Sequence, residues 1–260
     1  MDWRLGTMGF SYADWAGVFY PPGTKAGDYL AHYAQYFDTV ELDTTFHAAP
    51  PPERFRRWAD VTPEGFRFCM KMPRAVTHDV PPDRGIEAMR AFLDSARELG
   101  EKLGVVLLQF APHFEADQFG ALATLLAALP SDIRFAVEFR NRSWGRRRTL
   151  DLLREHRCAL VAAEYLTRPG RIHVTSDFLY VRWIGEHQRF EELNREQIDM
   201  GESLTWWRDQ IASVEDRVQT TWGFFNNDFS GYSVATCNRL KRLLELPANE
   251  PPAIPGGLFR

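Results

Sequence analysis

The chain has 260 residues, of which 45% are hydrophobic and 13% aromatic, and its 31 Lys and Arg against 35 Asp and Glu give a formal net charge of -4. That balance argues against broad affinity for nucleic acid or an anionic membrane, either of which shows as a basic excess. The length supports one sizeable α/β core, and no run reaches the ~20 apolar residues of a membrane span.

Short runs rich in Val, Leu, Phe and Thr, bounded by Gly, Pro and Asp, predict strands at residues 4–9, 39–46, 67–73, 104–110, 134–140, 159–165, 178–185 and 220–228. Helical patterns lie between most of them: DYLAHYAQYF, PPERFRRWAD, GIEAMRAFLDSARELGEKLG, ADQFGALATLLAALP, RRRTLDLLREH, SLTWWRDQIASV and GYSVATCNRLKRLLEL. In the third, Ile86, Met89, Phe92, Leu93, Ala96 and Leu99 recur at helical spacing. Alternating strands and helices imply a parallel sheet. Eight strands in this length predict a single (β/α)8 TIM-like barrel over residues 1–260, with an open doubly wound sheet as the competing topology. The barrel is irregular between strands six and seven, where LTRPGRIHVTSD offers no helix, and the tail PANEPPAIPGG reads as loosely ordered.

Charges interrupt the apolar strands in a regular way. Side chains two apart on a strand share a face, so Glu138 and Arg140 of RFAVEFR point together with Ala136. Glu41, Asp43 and Thr45 share a face of the second strand, Lys71 lies on the face of Cys69, and Arg182 on that of Tyr180. Gln109 and Glu164 end the fourth and sixth strands, and Asn226, Asn227 and Asp228 end the eighth. Unpaired buried charges cost several kcal/mol, so these groups must pair or reach water. At the C-terminal ends of barrel strands they would form one pocket. The plainer reading is a set of structural ion pairs, such as Glu138 with Lys71 or Arg182.

Other motifs weigh less. GTMGFSYADW, with Tyr12, ends the first strand and could cradle an anion, but it lacks both Gly-rich nucleotide fingerprints. The run Arg146, Arg147, Arg148 opens a helix, and His47, His78 and His113 follow strands two, three and four. There is no HExxH and no GxSxG. Cys69, Cys158 and Cys237 form no CxxC pair, as expected of reduced thiols in a cytoplasmic protein, and the N-terminus carries no secretory signal pattern.

The blocks GTMGFSYADWAGVFYPPG, TVELDTTFHAAPPPERFRRWADVTPEGFRFCMKMPRAVTH, LGVVLLQFAPHF, FAVEFRNRSW, DFLYVRWIG and FFNNDFSGYSVATCNRLKRL together resemble the YecE-like family, a domain of unknown function numbered 72. The resemblance implies a TIM-like barrel and no established reaction. It carries the family's polar positions onto Glu41, Lys71, Gln109, Glu138, Arg140, Arg182, Asn226 and Asn227. His47 departs from a usual Tyr, Asn141-Arg142 from a usual His-Pro, and Ile184 stands at a position that is often His.

The expected function is an enzyme acting on an anionic, polyhydroxylated ligand such as a sugar phosphate or a nucleic-acid fragment. Glu41 and Glu138 are the acid/base candidates, and Lys71 stabilises negative charge or tunes a carboxylate. Arg140 and Arg182 clamp phosphate or carboxylate, while Gln109, Asn226, Asn227 and Tyr12 complete the ligand contacts. A Schiff base at Lys71 ranks lower, since its charged neighbours oppose the desolvation it needs. The sequence leaves the cofactor open, with the absence of one ranked ahead of Mg or Mn. A second reading is a metal-dependent isomerase or endonuclease-like barrel with Mg or Mn on Glu138, Glu164 and Asp228, and a third is a non-catalytic nucleic-acid or metabolite-binding module.

Overall fold

The computed structural model describes residues 1–251, so residues 252–257 of the PANEPPAIPGG tail lie outside the described residues. In chain order the elements are β1 (Asp2–Thr7), α1 (Tyr29–Tyr33), β2 (Thr39–Leu42), α2 (Pro52–Asp60), β3 (Arg67–Lys71), α3 (Arg74–Thr77), α4 (Ile86–Ala96) and β4 (Leu103–Gln109). There follow α5 (Phe119–Ala127), β5 (Arg134–Glu138), α6 (Arg147–Glu155), β6 (Ala159–Leu160), β7 (Ala162–Glu164), β8 (Phe178–Trp183), α7 (Gly201–Ala212), β9 (Thr220–Phe225) and α8 (Ser233–Leu243). The helix expected over residues 85–104 ends at Ala96, because the chain passes into 3-10 turns and then through Gly100, whose φ of 55° no helix contains.

Strand pairing is parallel throughout, as alternation predicts, but the hydrogen-bonded ladder is not one ring of eight strands. It forms a four-stranded sheet in the order β1-β9-β8-β7 and a five-stranded sheet in the order β2-β3-β4-β5-β6. The strand expected at 159–165 is split at Val161: β6 pairs with β5, while β7 pairs with β8. One stretch of chain therefore contributes to both sheets. At the other junction the contact is a single parallel bridge between Met8 and Glu41, with Gly9 N donating to Glu41 O at 2.7 Å.

Two apolar cores follow from strand alternation. The outer one packs strand residues such as Val40, Phe68, Val106, Val137 and Val181 against the helices. The inner one collects Met8, Cys69, Val105, Leu107, Ala136, Ala159, Phe178, Tyr180, Trp222 and Phe224, drawn from both sheets. The segment between β7 and β8 has no helix, as its sequence predicts. It is tied down by Thr175, whose Oγ1 accepts from Leu160 N at 2.8 Å and donates to Cys158 O at 2.7 Å. All three cysteines are buried and unpaired. Among the described residues no helix is long and apolar enough to cross a membrane.

The β1–β2 junction depends on Gly6. A Cβ there would lie 2.2 Å from the Thr39 carbonyl oxygen and 3.0 Å from the Tyr33 hydroxyl. Gly6→Ala is therefore expected to cost roughly 3 kcal/mol by forcing β1 away from β2, read as a lower urea midpoint. A loss under about 1 kcal/mol would show that the junction yields.

Candidate functional site

Parallel pairing brings the C-terminal ends of each sheet's strands to one side, and the inward alternation continues there with polar groups: Glu41, Lys71, Gln109, Glu138 and Arg182. Each lies one strand period beyond an inner-core residue or on its face, as Cys69 precedes Lys71 and Tyr180 precedes Arg182.

Arg182 organises this layer. Its Nε donates to both Glu41 oxygens (3.2 and 3.0 Å) and its Nη2 to Glu41 Oε1 at 2.7 Å. Its Nη1 donates to Glu138 Oε2 at 2.6 Å and to Gln109 Oε1 at 3.3 Å. The Met8 sulfur takes the last N–H, from Nη2, at 3.5 Å. All five guanidinium donors are thus engaged, and the side chain is only 5% exposed. Burial opposes the Arg182 charge, yet Glu41 and Glu138 hold its pKa well above the ordinary value. Glu41 is fully buried, and its Oε2 also accepts from the Tyr180 hydroxyl at 2.8 Å.

Glu138 and Arg140, two apart on one face, pair directly: Arg140 Nε lies 2.8 Å from Glu138 Oε1. The Tyr165 hydroxyl donates to the same oxygen. Burial alone would raise the Glu138 carboxyl, but Arg182, Arg140 and Tyr165 bring it below its ordinary value. Arg140 also donates from Nη2 to Gln109 Oε1 at 3.3 Å, and its Cζ stands 4.0 Å from the Tyr165 ring centroid. Held on these sides, it keeps 30% of its side chain exposed and its remaining N–H groups free of protein acceptors among the described residues.

Lys71 sits in the same layer without a counter-ion. Among the described residues its Nζ has neither a hydrogen bond nor an ion pair, and it lies 3.8 Å from the Phe46 ring centroid. Burial, then the Arg182 charge, push its pKa down to about 8, against the opposing pull of Glu138, Glu41 and Asp43. Burial, Lys71 and Arg74 likewise lower His78, which packs edge-on to Phe46, to about 4.

The remaining candidates separate. Tyr12 is half-buried, donates to Met8 O, and is raised by burial and by Asp43, Asp228 and Glu41. Asn226 is half-buried and accepts from Asp228 N at 2.9 Å. Asn227 turns away: its Oδ1 accepts from Ser233 N and Oγ at 2.9 and 2.8 Å, capping α8. Glu164, expected at the strand ends, points outward with Ala162 and accepts from Ser203 Oγ and Trp207 Nε1 on α7. It therefore forms no oxygen set with Glu138 and Asp228, and no group of three His, Cys, Asp or Glu side chains suited to a metal ion occurs among the described residues. His47 and His113 are exposed.

The sequence reading passed over Tyr165, Tyr180, Met8 and Phe46. Tyr180 was legible by its parity with Arg182. Tyr165 shares the inward parity of Ala159 and Val161, which marks Glu164 as the outward residue.

Residues 4–256 match the family described as "Protein of unknown function DUF72". The chain belongs to the DUF72 family. The "UPF0759 protein YecE" of Escherichia coli K12 is 33% identical over 112 residues, 43% of this chain and 41% of that protein. The "UPF0759 protein YunF" of Bacillus subtilis 168 is 36% identical over 132 residues, 48% and 47% of the two chains. The matched segments thus span less than half of these curated relatives. Among solved structures, a DUF72 family protein of Thermotoga maritima superposes with a TM-score of 0.78 at 29% identity, covering 94% of this chain and all of that one. One from Enterococcus faecalis gives 0.75 at 23% identity, covering 95% and 98%, and shares the fold.

For this DUF72 chain the Arg182 network makes a sharp demand. Arg182→Met leaves Glu41 and Glu138 buried without their shared cation and is expected to cost about 3–5 kcal/mol, with part restored by adding Glu41→Gln. A single-variant cost under about 1 kcal/mol in urea unfolding would contradict the network. Lys71 gives the opposite sign. Its folded pKa of about 8 lies below the unfolded 10.5, so the unfolded chain binds more protons between these values and stability rises with pH across that window. Lys71→Met should raise the melting temperature at pH 7, and the gain should shrink as pH climbs from 8 towards 10.5.

Proposed function

We propose that the two sheets close around the inner core as a TIM-like barrel, and that the layer at the strand C-termini is the site of an enzyme. Its ligand carries a phosphate or carboxylate beside hydroxyl groups. The shared inner core, the Met8–Glu41 bridge and the split strand at Val161 support the closure.

One observation carries the site reading. Arg140 is a guanidinium held in place by Glu138, Gln109 and Tyr165, with donors left over on a partly exposed edge. Such a fork matches the planar, bidentate geometry of carboxylate and phosphate oxygens. A cation serving structure alone needs no second cation, Lys71, left without a partner nearby. Asp43 and Asp228 near Tyr12 supply acceptors at the other side, suited to hydroxyl groups with Asn226. Glu138, kept ionised by its two arginines, is the base candidate, and Tyr165 joins it to the ligand space. Glu41 and Arg182 act as positioning residues in this reading: Glu41 is fully buried, and every Arg182 N–H is engaged. Asn227 is left out, since its carbonyl caps α8.

The test is calorimetric titration with glycerol 3-phosphate and with glycerol at fixed low salt. The wild-type chain should bind the phosphate ester and not the neutral alcohol. Arg140→Ala should weaken binding at least tenfold, a loss of about 1.4 kcal/mol or more, with its unfolding midpoint nearly unchanged. Equal affinity in the variant, or no preference for the phosphate ester, would overturn the reading.

A further inference from the structure

The chain has four lysines. Lys25 is exposed. Lys102 Nζ donates to Ala59 O in the last turn of α2 and to Thr62 O just after it at 2.6 Å. Lys241 Nζ lies 4.4 Å from the Phe37 ring centroid, away from the strand C-termini. Lys71 alone stands among the inward polar groups, and it alone combines partial burial there with an Nζ that no carboxylate holds.

That isolation has a cause. Two carboxylates, Glu41 and Glu138, occupy the same layer and would ordinarily keep a lysine protonated. Arg182 takes both, through Glu41 Oε1 at 2.7 Å and Glu138 Oε2 at 2.6 Å, and Arg140 takes the remaining Glu138 oxygen at 2.8 Å. Lys71 is left beside a guanidinium and an aromatic face. The groups facing it are Arg182 from β8, Glu138 from β5, Glu41 from β2, Asp43 just after β2 and His78 at the end of α3. An ammonium that only clamps an anion gains from neighbours that keep it charged. Here burial and Arg182 work the other way, which suits an amine acting as a nucleophile.

We propose that Lys71 forms an imine with a carbonyl compound whose anionic group is held by Arg140. The substrate class is a phosphorylated or carboxylated aldehyde, ketone or ketose; the assignment of the anionic group rests on the function proposed above. In the step, the neutral Nζ lone pair attacks the carbonyl carbon and a C–N bond forms. The carbonyl π pair moves to oxygen, which takes a proton to give the carbinolamine. Nitrogen loses one proton and the hydroxyl gains a second, the C–O bond breaks, and water leaves as the nitrogen lone pair forms C=N; the resulting iminium loses its remaining N–H proton to give the imine. Protons are conserved overall: one amine and one carbonyl give one imine and one water. Glu138, ionised in the same layer, is the group that takes and returns protons. With a pKa of about 8 instead of 10.5, Lys71 presents roughly 300-fold more neutral amine at pH 7.

The experiment traps the imine on the full chain with dihydroxyacetone phosphate and sodium cyanoborohydride, followed by intact mass and peptide mapping of all four lysines and the amino terminus. The expected result at pH 7 is one reduced adduct on Lys71, formed at least tenfold faster than on the more exposed Lys25. Its rate should rise with a midpoint near pH 8. Inorganic phosphate should slow Lys71 labelling and leave Lys25 and the amino terminus unaffected. Labelling that follows exposure, with Lys25 ahead of Lys71, overturns the imine. If Lys71 stays unlabelled while glycerol 3-phosphate still binds, imine formation fails and the anion site stands. If Lys71 reacts equally fast with unphosphorylated dihydroxyacetone and phosphate gives no protection, the proposed substrate fails through its anionic group, and the amine chemistry survives. These readouts use the wild-type chain, so they hold whether or not Lys71→Met folds.

Discussion

One buried guanidinium ties the molecule together. Arg182 leaves β8 in the four-stranded sheet and binds carboxylates on β2 and β5 of the five-stranded sheet. Backbone pairing joins the two sheets through an isolated bridge at Met8–Glu41, and the stretch divided at Val161 enters both. A charge this deep is tolerated because every N–H finds an acceptor, and the neighbouring hydroxyls of Tyr180 and Tyr165 satisfy what the carboxylates have left. Such a pair adds little net stability over an apolar core, yet removing one member exposes the other's full desolvation penalty. Its contribution is to hold β2, β5 and β8 at one separation.

That arrangement decides the chemistry of what surrounds it. Burial, then the Arg182 charge, lower the proton affinity of Lys71, and with both carboxylates bound to Arg182 it has no ion pair among the described residues. Because Glu138 is shared between Arg182 and Arg140, Arg140 is fixed in direction while its outer edge stays open. The electrostatic character of the strand ends thus follows from which cation won the carboxylates. A lysine in place of Arg182 presents a compact point charge that cannot reach Glu41, Glu138 and Gln109 together. Lys71 would then compete for Glu138 and hold its proton more tightly.

Much of this was legible residue by residue. Period-two alternation identifies Glu41, Lys71, Gln109, Glu138 and Arg182 as sharing the inward parity of Cys69, Leu107, Ala136 and Tyr180, and the structure puts them in one layer. The pairing of Glu138 with Arg182 was one of the ion pairs that the plainer reading offered. Glu164 ends a strand as the polar residues around it do, but its parity with Ala162 is outward, and its contacts to Ser203 and Trp207 on α7 agree. A capping amide and a ligand-binding amide look alike in sequence, and the structure places the Asn227 Oδ1 on the first residue of α8.

By itself the sequence determined the alternation of strand and helix, the parallel pairing it entails, and the face on which each charge lies. These are local properties, set by side-chain parity and the intrinsic preferences of short segments. Only the tertiary structure decided that the ladder runs as two sheets meeting at Gly6 and Val161, and that Arg182 takes both glutamates while Lys71 takes none. Those outcomes depend on distances of a few ångströms between strands far apart in the chain, 141 residues in the case of Arg182 and Glu41. Coulomb attraction and hydrogen-bond geometry discriminate steeply at that range, and side-chain parity and local segment preferences do not report those distances.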